Sequence, residues 1–376
     1  MNQLIEGMAD AGHNIKVLAI NSNKYSVKPE DIPTEYKQKT NIELEYINLA
    51  IKPIDAFLNL FTNKSYHVKR FISKIFDHKL KEILSRQQFD IVQIETLFMS
   101  PYIETLRKYS KAKIILRAHN IEHLIWERVA QNHKNPLKKF YVNHLARTLK
   151  NYEKQIVDKY DGIVPITAED AHFFEKVTKK PILPLPFGVD TDKIKAETNI
   201  KPELALFHIG AMNWIPNEEG IKWFIDAVWP LVKQNLPLVK LYLAGREMPE
   251  WLNKLKVKNI HVVGEVENAH DFINSKAISI APLFSGSGIR IKIIESMALG
   301  KAVISTAIGA EGINIENGKN ILIANTAQEF FEAIRTLFEN PIMAQKIGEQ
   351  ARLLIEEEHS TGKIIKRLES FYRQIL

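Results

Sequence analysis

The sequence predicts an α/β chain of two doubly wound domains with parallel sheets. Short apolar runs typical of buried strands alternate with longer amphipathic stretches typical of helices, the pattern of parallel sheets covered by helices on both faces. The pattern stops at a proline-rich connector, Pro181–Pro186, and then starts again. Since 376 residues suffice for two domains, we place a first domain at 1–187 and a second at 188–359.

The strand-like runs are short and rich in aliphatic residues. In the first domain they are Ile15–Ile20, Phe89–Ile94, Lys113–Arg117 and Gly162–Ile166, and in the second Leu204–Ile209, Val239–Ala244, Asn259–Val263, Ala277–Ala281 and Ala302–Ser305. The stretches 101–108 and 138–159 predict helices. The chain opens on a helical stretch, 2–12, where a doubly wound domain ordinarily opens on a strand. We therefore expect the first domain to lack its opening strand.

Composition and charge narrow the class of protein. The formal net charge is +7, and residues 1–190 carry all of the excess, with 29 Lys and Arg against 22 Asp and Glu. A basic half favours an anionic partner, such as a phosphorylated substrate or an acidic membrane surface, and no nucleic-acid recognition motif accompanies it. The absence of Cys excludes disulfides, and no apolar run reaches the roughly 18 residues of a membrane span. A cytoplasmic protein is expected.

The segment 282–298 predicts an anion site. A strand ends at Pro282, a loop of small residues follows at 285–288, and an amphipathic helix begins near Ile289. Free backbone N–H groups at such a turn attract anions, and Arg290 and Lys292 add positive charge. The segment fails the dinucleotide fingerprint because Ile291 occupies the third glycine position, which disfavours a nicotinamide enzyme.

Several segments in a fixed order resemble the glycosyltransferase group 1 family. They are 186–190, 207–217, 243–246, 263–266, 286–295 and 300–306. A series of motifs in one order is more specific than any single motif. The resemblance implies the GT-B fold, two facing Rossmann-like domains with an interdomain cleft, in which the last helix, 360–376, packs back on the first domain.

The resemblance implies transfer of a sugar from a UDP- or GDP-type nucleotide sugar to an acceptor hydroxyl with retention of configuration, without a metal or other cofactor. The acceptor would be a glycan or a lipid-linked glycan, in cell-envelope or exopolysaccharide synthesis. Two other functions stay open. One is a nucleotide-binding partner without catalytic activity, and the other is a nucleotide-sugar epimerase.

The resemblance also assigns site residues. Glu295 matches the carboxylate that holds the ribose, whereas Ser287 stands where relatives carry a second glutamate. Arg290 and Lys292 are expected to supply the diphosphate-binding and catalytic charge, because the loop that carries cations in relatives has Met212 and Asn213 here. The further donor-binding positions implied are Gly210, Asn213, Arg246, Gly264, Val266, Ser285, Gly286, Gly288 and Ile289. Trp214, Trp223 and Trp229 are expected in the core.

In the first half, the segment 117–122 is similar to the strand end that bears a histidine in the family's acceptor domain. His119 would hydrogen-bond the transferred sugar. The basic stretch 64–81 mixes cations with Phe and Ile at helical spacing, so peripheral contact with the anionic inner face of a membrane is a hypothesis for it. The alternative for this stretch is a solvated helix that packs its apolar side on the sheet.

Overall fold

The computed structural model describes residues 1–23, 26–132, 135–191, 193–194, 202–285 and 289–376. The chain divides into two compact units. Unit 1 comprises Met1–Phe187 with Ile364–Leu376, and unit 2 comprises Gly188–Lys363. Each unit contains parallel strands connected by helices, which confirms the predicted α/β class.

The described strands of unit 1 form two parallel sheets. A two-stranded sheet pairs β1 (Leu18–Ser22) with β2 (Glu43–Ile47), and a three-stranded sheet has the order β3 (Ile91–Ile94), β4 (Lys113–Ala118), β5 (Gly162–Pro165). The helices around them are α1 (Asn2–Asp10), α2 (Thr34–Thr40), α3 (Pro53–Asn59), α4 (Tyr66–Lys69), α5 (Lys74–Arg86), α6 (Ile103–Tyr109), α7 (Glu122–Asn132), α8 (Pro136–Ile156) and α9 (Ala168–Val177). Short 3-10 turns cover Pro29–Asp31, Leu97–Tyr102 and Val157–Lys159.

Unit 2 contains one six-stranded parallel sheet. Its strands are β6 (Glu203–Ile209), β7 (Leu241–Ala244), β8 (Ile260–Gly264), β9 (Lys276–Ala281), β10 (Ala302–Ser305) and β11 (Leu322–Ile323), in the spatial order β11-β10-β9-β6-β7-β8. Its helices are α10 (Ile215–Trp223), α11 (Trp229–Asn235), α12 (Glu250–Asn253), α13 (Ala269–Asn274), α14 (Ile291–Ala298), α15 (Ala327–Glu339) and α16 (Pro341–Glu358). A π turn, Phe224–Val228, joins α10 to α11.

The last helix, α17 (Thr361–Ile375), packs on the sheet of unit 1. Its apolar face, which includes Leu368 and Phe371, is buried against Ile115 of β4, Val164 of β5 and Met8 of α1. Apolar residues recur along α17 at helical spacing, so one face can be buried while the other stays polar.

The structure confirms the predicted strands, with ends that shift by a few residues. The first strand begins at Leu18, three residues later than its apolar run suggested, and two short edge strands, β2 and β11, were not predicted. The chain opens on α1, as the sequence predicted. The basic stretch 64–81 forms two helices, α4 and α5, rather than one, and Tyr66, Val68 and Phe76 within it are buried. Among the described residues, no helix is both long and apolar enough to cross a membrane.

Candidate functional site

The sheet of unit 2 places its candidate site where the strand order reverses. The chain runs from β6 outward through β7 to β8, and then returns to place β9 on the other side of β6. In an open parallel sheet, the loops after two such strands diverge and leave a crevice at their carboxyl ends. Here the loops are 210–214, after β6, and 282–290, after β9, and the first of them leads into α10.

His208 and Gly210 form the floor of this crevice. His208 is 1% exposed, and its Nδ1 donates a 2.9 Å hydrogen bond to the carbonyl of Ile280 in β9. Its other ring nitrogen, Nε2, is buried and has no hydrogen-bond partner within the described ranges. A Cβ built on Gly210 would lie 3.4 Å from this nitrogen and 2.8 Å from Nδ2 of Asn217. Gly210 is therefore packed so closely against Asn217 that any larger residue would force Asn217 to move.

Asn217, next to Gly210, ties α10 to α14. It is buried, and its amide nitrogen donates a 2.8 Å hydrogen bond to the carbonyl of Ala211. Its Oδ1 accepts a hydrogen bond from Nζ of Lys292 in the first turn of α14. Gly220 of α10 lies so close to the carbonyl of Pro282 that a Cβ there would be 2.0 Å from its oxygen. The tight packing fixes α10 against the loop that leads to α14.

Two cations meet beside Asn217. Arg290 precedes α14 and is 4% exposed, while Lys292 lies in the first turn of that helix. Burial, and then the nearby charge of Arg290, lowers the pKa of Lys292 to about 7. Burial also lowers the pKa of Arg290, against the attraction of Glu311. Two buried cations side by side repel each other, and a bound anion would offset that repulsion.

Trp214 covers the two cations. The sequence predicted it in the core, but it lies at the surface. Its side chain is 37% exposed, with the Arg290 guanidinium 5.5 Å and Lys292 Nζ 5.7 Å from the ring centroid. Both distances lie in the range of cation–π attraction. Trp223 and Trp229 do pack in the core of unit 2, as predicted.

The loop before α14 is described only in part. Gly286, Ser287 and Gly288 lie outside the described residues. Ser285 Oγ is 3.5 Å from a carboxylate oxygen of Glu219 in α10, and the Ile289 side chain is buried. Glu295 lies one turn after Lys292 and is half-buried, and burial raises the pKa of its carboxyl despite the opposing effect of His270.

The remaining predicted donor residues lie at the ends of β7 and β8. Gly245 N donates a 2.8 Å hydrogen bond to Gly264 O, and Gly264 has φ +79° with no atom within 4 Å of its missing Cβ. Arg246 is exposed, with its Nε 3.9 Å from an equally exposed Glu265, while Val266 is half-buried. Asn213 is exposed. Within the described part of the chain, no hydrogen bond or ion pair joins these side chains to Lys292.

The sheet of unit 1 brings a second pair together. Glu95 follows β3 and His119 follows β4, and because these strands are parallel neighbours their ends meet. His119 Nε2 lies 2.9 Å from Glu95 Oε2, and both side chains are about four-fifths buried, at 22% and 20% exposure. Burial alone would raise the pKa of Glu95, but the hydrogen bonds from His119 and Gln93 bring it below its usual value.

Residues beneath this pair hold it in place. Gln93 Nε2 donates a 2.5 Å hydrogen bond to Glu95 Oε1, and Gln93 Oε1 in turn accepts one from the hydroxyl of Tyr372 in α17. Arg117, 3% exposed, donates to the carbonyl of Pro186 at 3.2 Å and contributes positive charge near Glu95. The last helix therefore helps to position the glutamate of this pair.

A buried carboxylate also organises the start of α7, just beyond His119. Glu153 of α8 accepts hydrogen bonds from the backbone N–H groups of Glu122 and His123 at 3.1 and 3.4 Å, and lies 2.5 Å from His123 Nδ1. Burial, and then this carboxylate, raises the pKa of Glu122 to about 7, although Asn120 hydrogen-bonds its side chain. His123 is fully buried in this network, so its role here is structural.

Comparison with known proteins assigns unit 2 to a family. Residues 203–340 match the family described as glycosyl transferases group 1. Unit 2 is a group 1 glycosyltransferase domain. The chain is also 23% identical, over 373 residues, to an uncharacterized 44.6 kDa protein in the cps region of Klebsiella pneumoniae, a match that covers 97% of this chain and 92% of that protein.

Solved structures share the fold of both units. A glycosyltransferase from Rickettsia africae matches with a TM-score of 0.67 at 18% identity, over 99% of this chain and 93% of that one. Anabaena HepE, in complex with UDP and glucose, matches with a TM-score of 0.61 at 12% identity, over 98% of this chain and 95% of that one. The chain thus has the predicted GT-B fold.

Sequence patterns did not reveal the positions of His208, Asn217 and Trp214 in the candidate site of unit 2. They also missed Glu95 in unit 1. His208 had a signal, since it is the one imidazole inside an otherwise apolar strand run, 204–209. Asn217 and Glu95 had none, because each is defined by a contact with a residue distant in sequence. Trp214 was misplaced because an aromatic residue at helical spacing is ordinarily a core residue.

Proposed function

We propose that the protein transfers a sugar from a nucleoside diphosphate sugar to an acceptor hydroxyl, with retention of configuration, and that the diphosphate binds between Gly210 and the start of α14. The observation that carries this proposal is the pairing of Arg290 and Lys292, two desolvated cations, at the start of α14, where Asn217 holds Lys292 near Gly210. The family match over residues 203–340 supports it, and the UDP held by HepE supports a nucleotide of that kind.

The chemistry needs positive charge at this position. In the transfer, the bond between the anomeric carbon and the diphosphate oxygen breaks, and the diphosphate leaves with the electron pair. A new bond forms between the anomeric carbon and the acceptor oxygen, whose proton passes to the departing diphosphate. The negative charge that develops on the leaving group is stabilised by preorganised cations, which Arg290 and Lys292 can supply.

Asn217 and His208 support this role of Lys292. Asn217 holds the Nζ of Lys292 against the crevice, and burial lowers the pKa of His208 well below its usual value. His208 is therefore neutral near pH 7 and adds no repulsion to an already cationic site. With Nδ1–H donated to Ile280, its Nε2 is an acceptor that can receive a proton donor such as a lysine or a water.

The acceptor side of the proposal rests on His119. Its hydrogen bond to Glu95 fixes the ring, so the opposite nitrogen, Nδ1, is held in one direction. A ring held in this way can hydrogen-bond a sugar hydroxyl, which is the role that the family resemblance implies for it. The acceptor we propose is a glycan or lipid-linked glycan of a cell-surface polysaccharide, since the relative from Klebsiella pneumoniae belongs to a cps region.

A cytoplasmic location with peripheral contact at the inner face of the membrane is part of the same proposal. The stretch 64–81 was the sequence-based expectation for that contact. Much of its apolar surface is buried in α4 and α5, although Ile72 and Ile75 remain exposed. The surface better suited to the contact lies elsewhere in unit 1, on α3 and the start of α8.

A two-stage assay tests the proposal. Thermal shift with a panel of nucleoside diphosphates identifies the nucleotide, and release of that nucleotide from its sugar conjugates, with and without glycan acceptors, reports turnover. We expect stabilisation by UDP or GDP and acceptor-dependent release, both lost in Lys292→Met and retained in Lys256→Met, which removes an exposed lysine of unit 2 outside the site. Binding without release or transfer would favour a catalytically inactive partner, and conversion of the sugar without release would favour an epimerase. Indifference to every nucleotide would contradict the proposal.

A further inference from the structure

Helix α3 of unit 1 exposes the face that a helix ordinarily buries. Ile54, Phe57, Leu58 and Phe61 follow the i, i+3, i+4, i+7 spacing of an apolar helical stripe, the last of them in the turn after the helix. Their exposures are 77%, 60%, 55% and 77%. Such a stripe normally faces the core, and exposed apolar patches of this kind mark interaction surfaces.

The first turns of α8 extend this surface. Leu137 and Phe140 are 81% and 69% exposed. Each lies four residues before a residue that contacts α3, because Tyr141 Oη donates to Ala56 O at 3.4 Å and His144 Nε2 donates to Asn59 O at 3.1 Å. Residues four apart share one face of a helix, so Leu137 and Phe140 lie on the face of α8 that contacts α3, one turn before those contacts. We call Ile54, Phe57, Leu58, Phe61, Leu137 and Phe140 the apolar patch.

The charges around the apolar patch are almost all positive. Residues 51–75 contain five cations, Lys52, Lys64, Lys69, Arg70 and Lys74, against the single acid Asp55. Asp55 is already paired, with Lys69 Nζ 3.5 Å from its carboxylate. Residues 135–152 contain four further cations and no acid. Lys150 pairs with Glu127 of α7, whereas Lys138 and Lys139, which directly precede Phe140, are exposed.

We propose that the apolar patch and its lysines dock on the surface of a lipid bilayer that contains anionic lipids. Aromatic and aliphatic side chains that project from a helix lying on a surface enter the boundary between headgroups and acyl chains, and neighbouring lysines are attracted to anionic headgroups. A second copy of the chain fits this surface less well. In a symmetric pair the same lysines would face one another without acids to neutralise them.

The proposal concerns unit 1 alone and does not depend on the transfer activity. It replaces the stretch 64–81 as the membrane-contacting element with a surface made of α3 and the start of α8. A lipid-linked acceptor would reach a chain docked in this way within the plane of the membrane.

Co-sedimentation with vesicles tests the proposal. We compare vesicles of phosphatidylcholine with vesicles of phosphatidylcholine and phosphatidylglycerol, using the full chain and two patch variants, Phe57→Ser/Phe61→Ser and Lys138→Glu/Lys139→Glu. The matched control, Leu238→Ser/Ile342→Ser, removes two apolar side chains of unit 2 that are 90% and 67% exposed. All substituted side chains are exposed, so each variant should fold, which thermal unfolding checks.

We expect the unaltered chain and the control to bind the anionic vesicles, with binding that weakens as salt is added. Each patch variant should bind the vesicles at least roughly tenfold less tightly. Two phenylalanine side chains that enter the bilayer, or two lysines at its surface, each contribute more binding free energy than a tenfold change in affinity requires. Failure of the unaltered chain to bind at low salt, or equal binding by the patch variants, would overturn the proposal. A concentration-dependent dimer that Phe57→Ser/Phe61→Ser abolishes would assign the surface to a second copy instead. Nucleotide binding by unit 2 is measured on the same samples. Loss of vesicle binding with nucleotide binding retained would count against the docking proposal alone.

Discussion

Glu95 and His119 are joined by a 2.9 Å hydrogen bond between the ends of two neighbouring parallel strands. Replacing Glu95 with Gln keeps the shape of the side chain but removes its charge. We expect Glu95→Gln to lower the turnover of sugar transfer roughly tenfold or more, since hydrogen bonds to charged groups contribute about 1.5–3 kcal/mol. The measurement is the steady-state rate of nucleotide release with acceptor present.

The same variant separates a positioning role from a structural one. A nucleotide bound in unit 2 does not touch Glu95 in our proposal, so the Kd for the nucleoside diphosphate should stay unchanged in Glu95→Gln. The pH dependence of turnover should change, because the partner of the His119 ring no longer carries charge. A loss of nucleotide affinity together with turnover would instead indicate general damage to the fold.

Gly210 should tolerate no larger residue while Asn217 is present. In Gly210→Ala the new methyl group would lie 2.8 Å from Asn217 Nδ2, so Asn217 must move and its contact with Lys292 weakens. Calorimetry should report an affinity for the nucleoside diphosphate that is lower by roughly tenfold. In an Asn217→Ser background, which removes the clash, adding Gly210→Ala should cost little further affinity. An additive loss in the double variant would contradict this reasoning.

Lys292 makes diphosphate binding depend on pH. Its pKa in the free protein is about 7, and a bound anion raises that pKa, so above pH 7 binding must take up a proton. Affinity should therefore fall as pH rises above 7, by up to about tenfold per pH unit. Calorimetry near pH 8 in buffers of different ionisation enthalpy measures the uptake, which should approach one proton. Lys292→Met should show none, and equal uptake in that variant would exclude Lys292 as its source.

Glu122 makes stability depend on pH in the opposite sense to an ordinary surface carboxylate. Burial raises its pKa from 4.5 to about 7, so between these values the folded chain holds a proton that the unfolded chain has released. This contribution to stability therefore falls as pH rises from about 4.5 to 7. We expect Glu122→Gln to gain stability relative to the unaltered chain across that window, with a constant difference above it.

Urea unfolding at several pH values measures the effect of Glu122. Glu104→Gln is the matched control, because Glu104 is 83% exposed. Its stability relative to the unaltered chain should change little across the same window. Parallel curves for Glu122→Gln and the unaltered chain would show that the carboxyl of Glu122 titrates as an exposed group does.

The sequence predicted the parallel sheets well because their strands are continuous apolar runs, as in β4, Lys113–Ala118. It missed β2, Glu43–Ile47, whose side chains alternate between polar and apolar, and β11, which has two residues. Both are edge strands, which have one pairing partner and correspondingly weak sequence patterns.

The candidate site was predictable where residues are close in sequence. Arg290 and Lys292 share one short segment with the loop before α14, so the motif identified them. Asn217 lies 75 residues from Lys292, and Glu95 lies 24 residues from His119, and both meet their partners only because of strand order. The exposed stripe on α3 was equally hidden, because apolar residues at helical spacing predict a buried face.

In our proposal Lys292 and its neighbours bind a diphosphate. Isothermal titration calorimetry of UDP and GDP at neutral pH tests this binding, with Lys292→Met compared with the control Lys256→Met, which removes an exposed lysine outside the site. We predict that the unaltered chain and the control bind one nucleotide saturably, with a Kd on the order of micromolar. In Lys292→Met the Kd should be at least about tenfold higher. Undiminished binding in Lys292→Met, or no binding of either nucleotide by the unaltered chain, would contradict the claim.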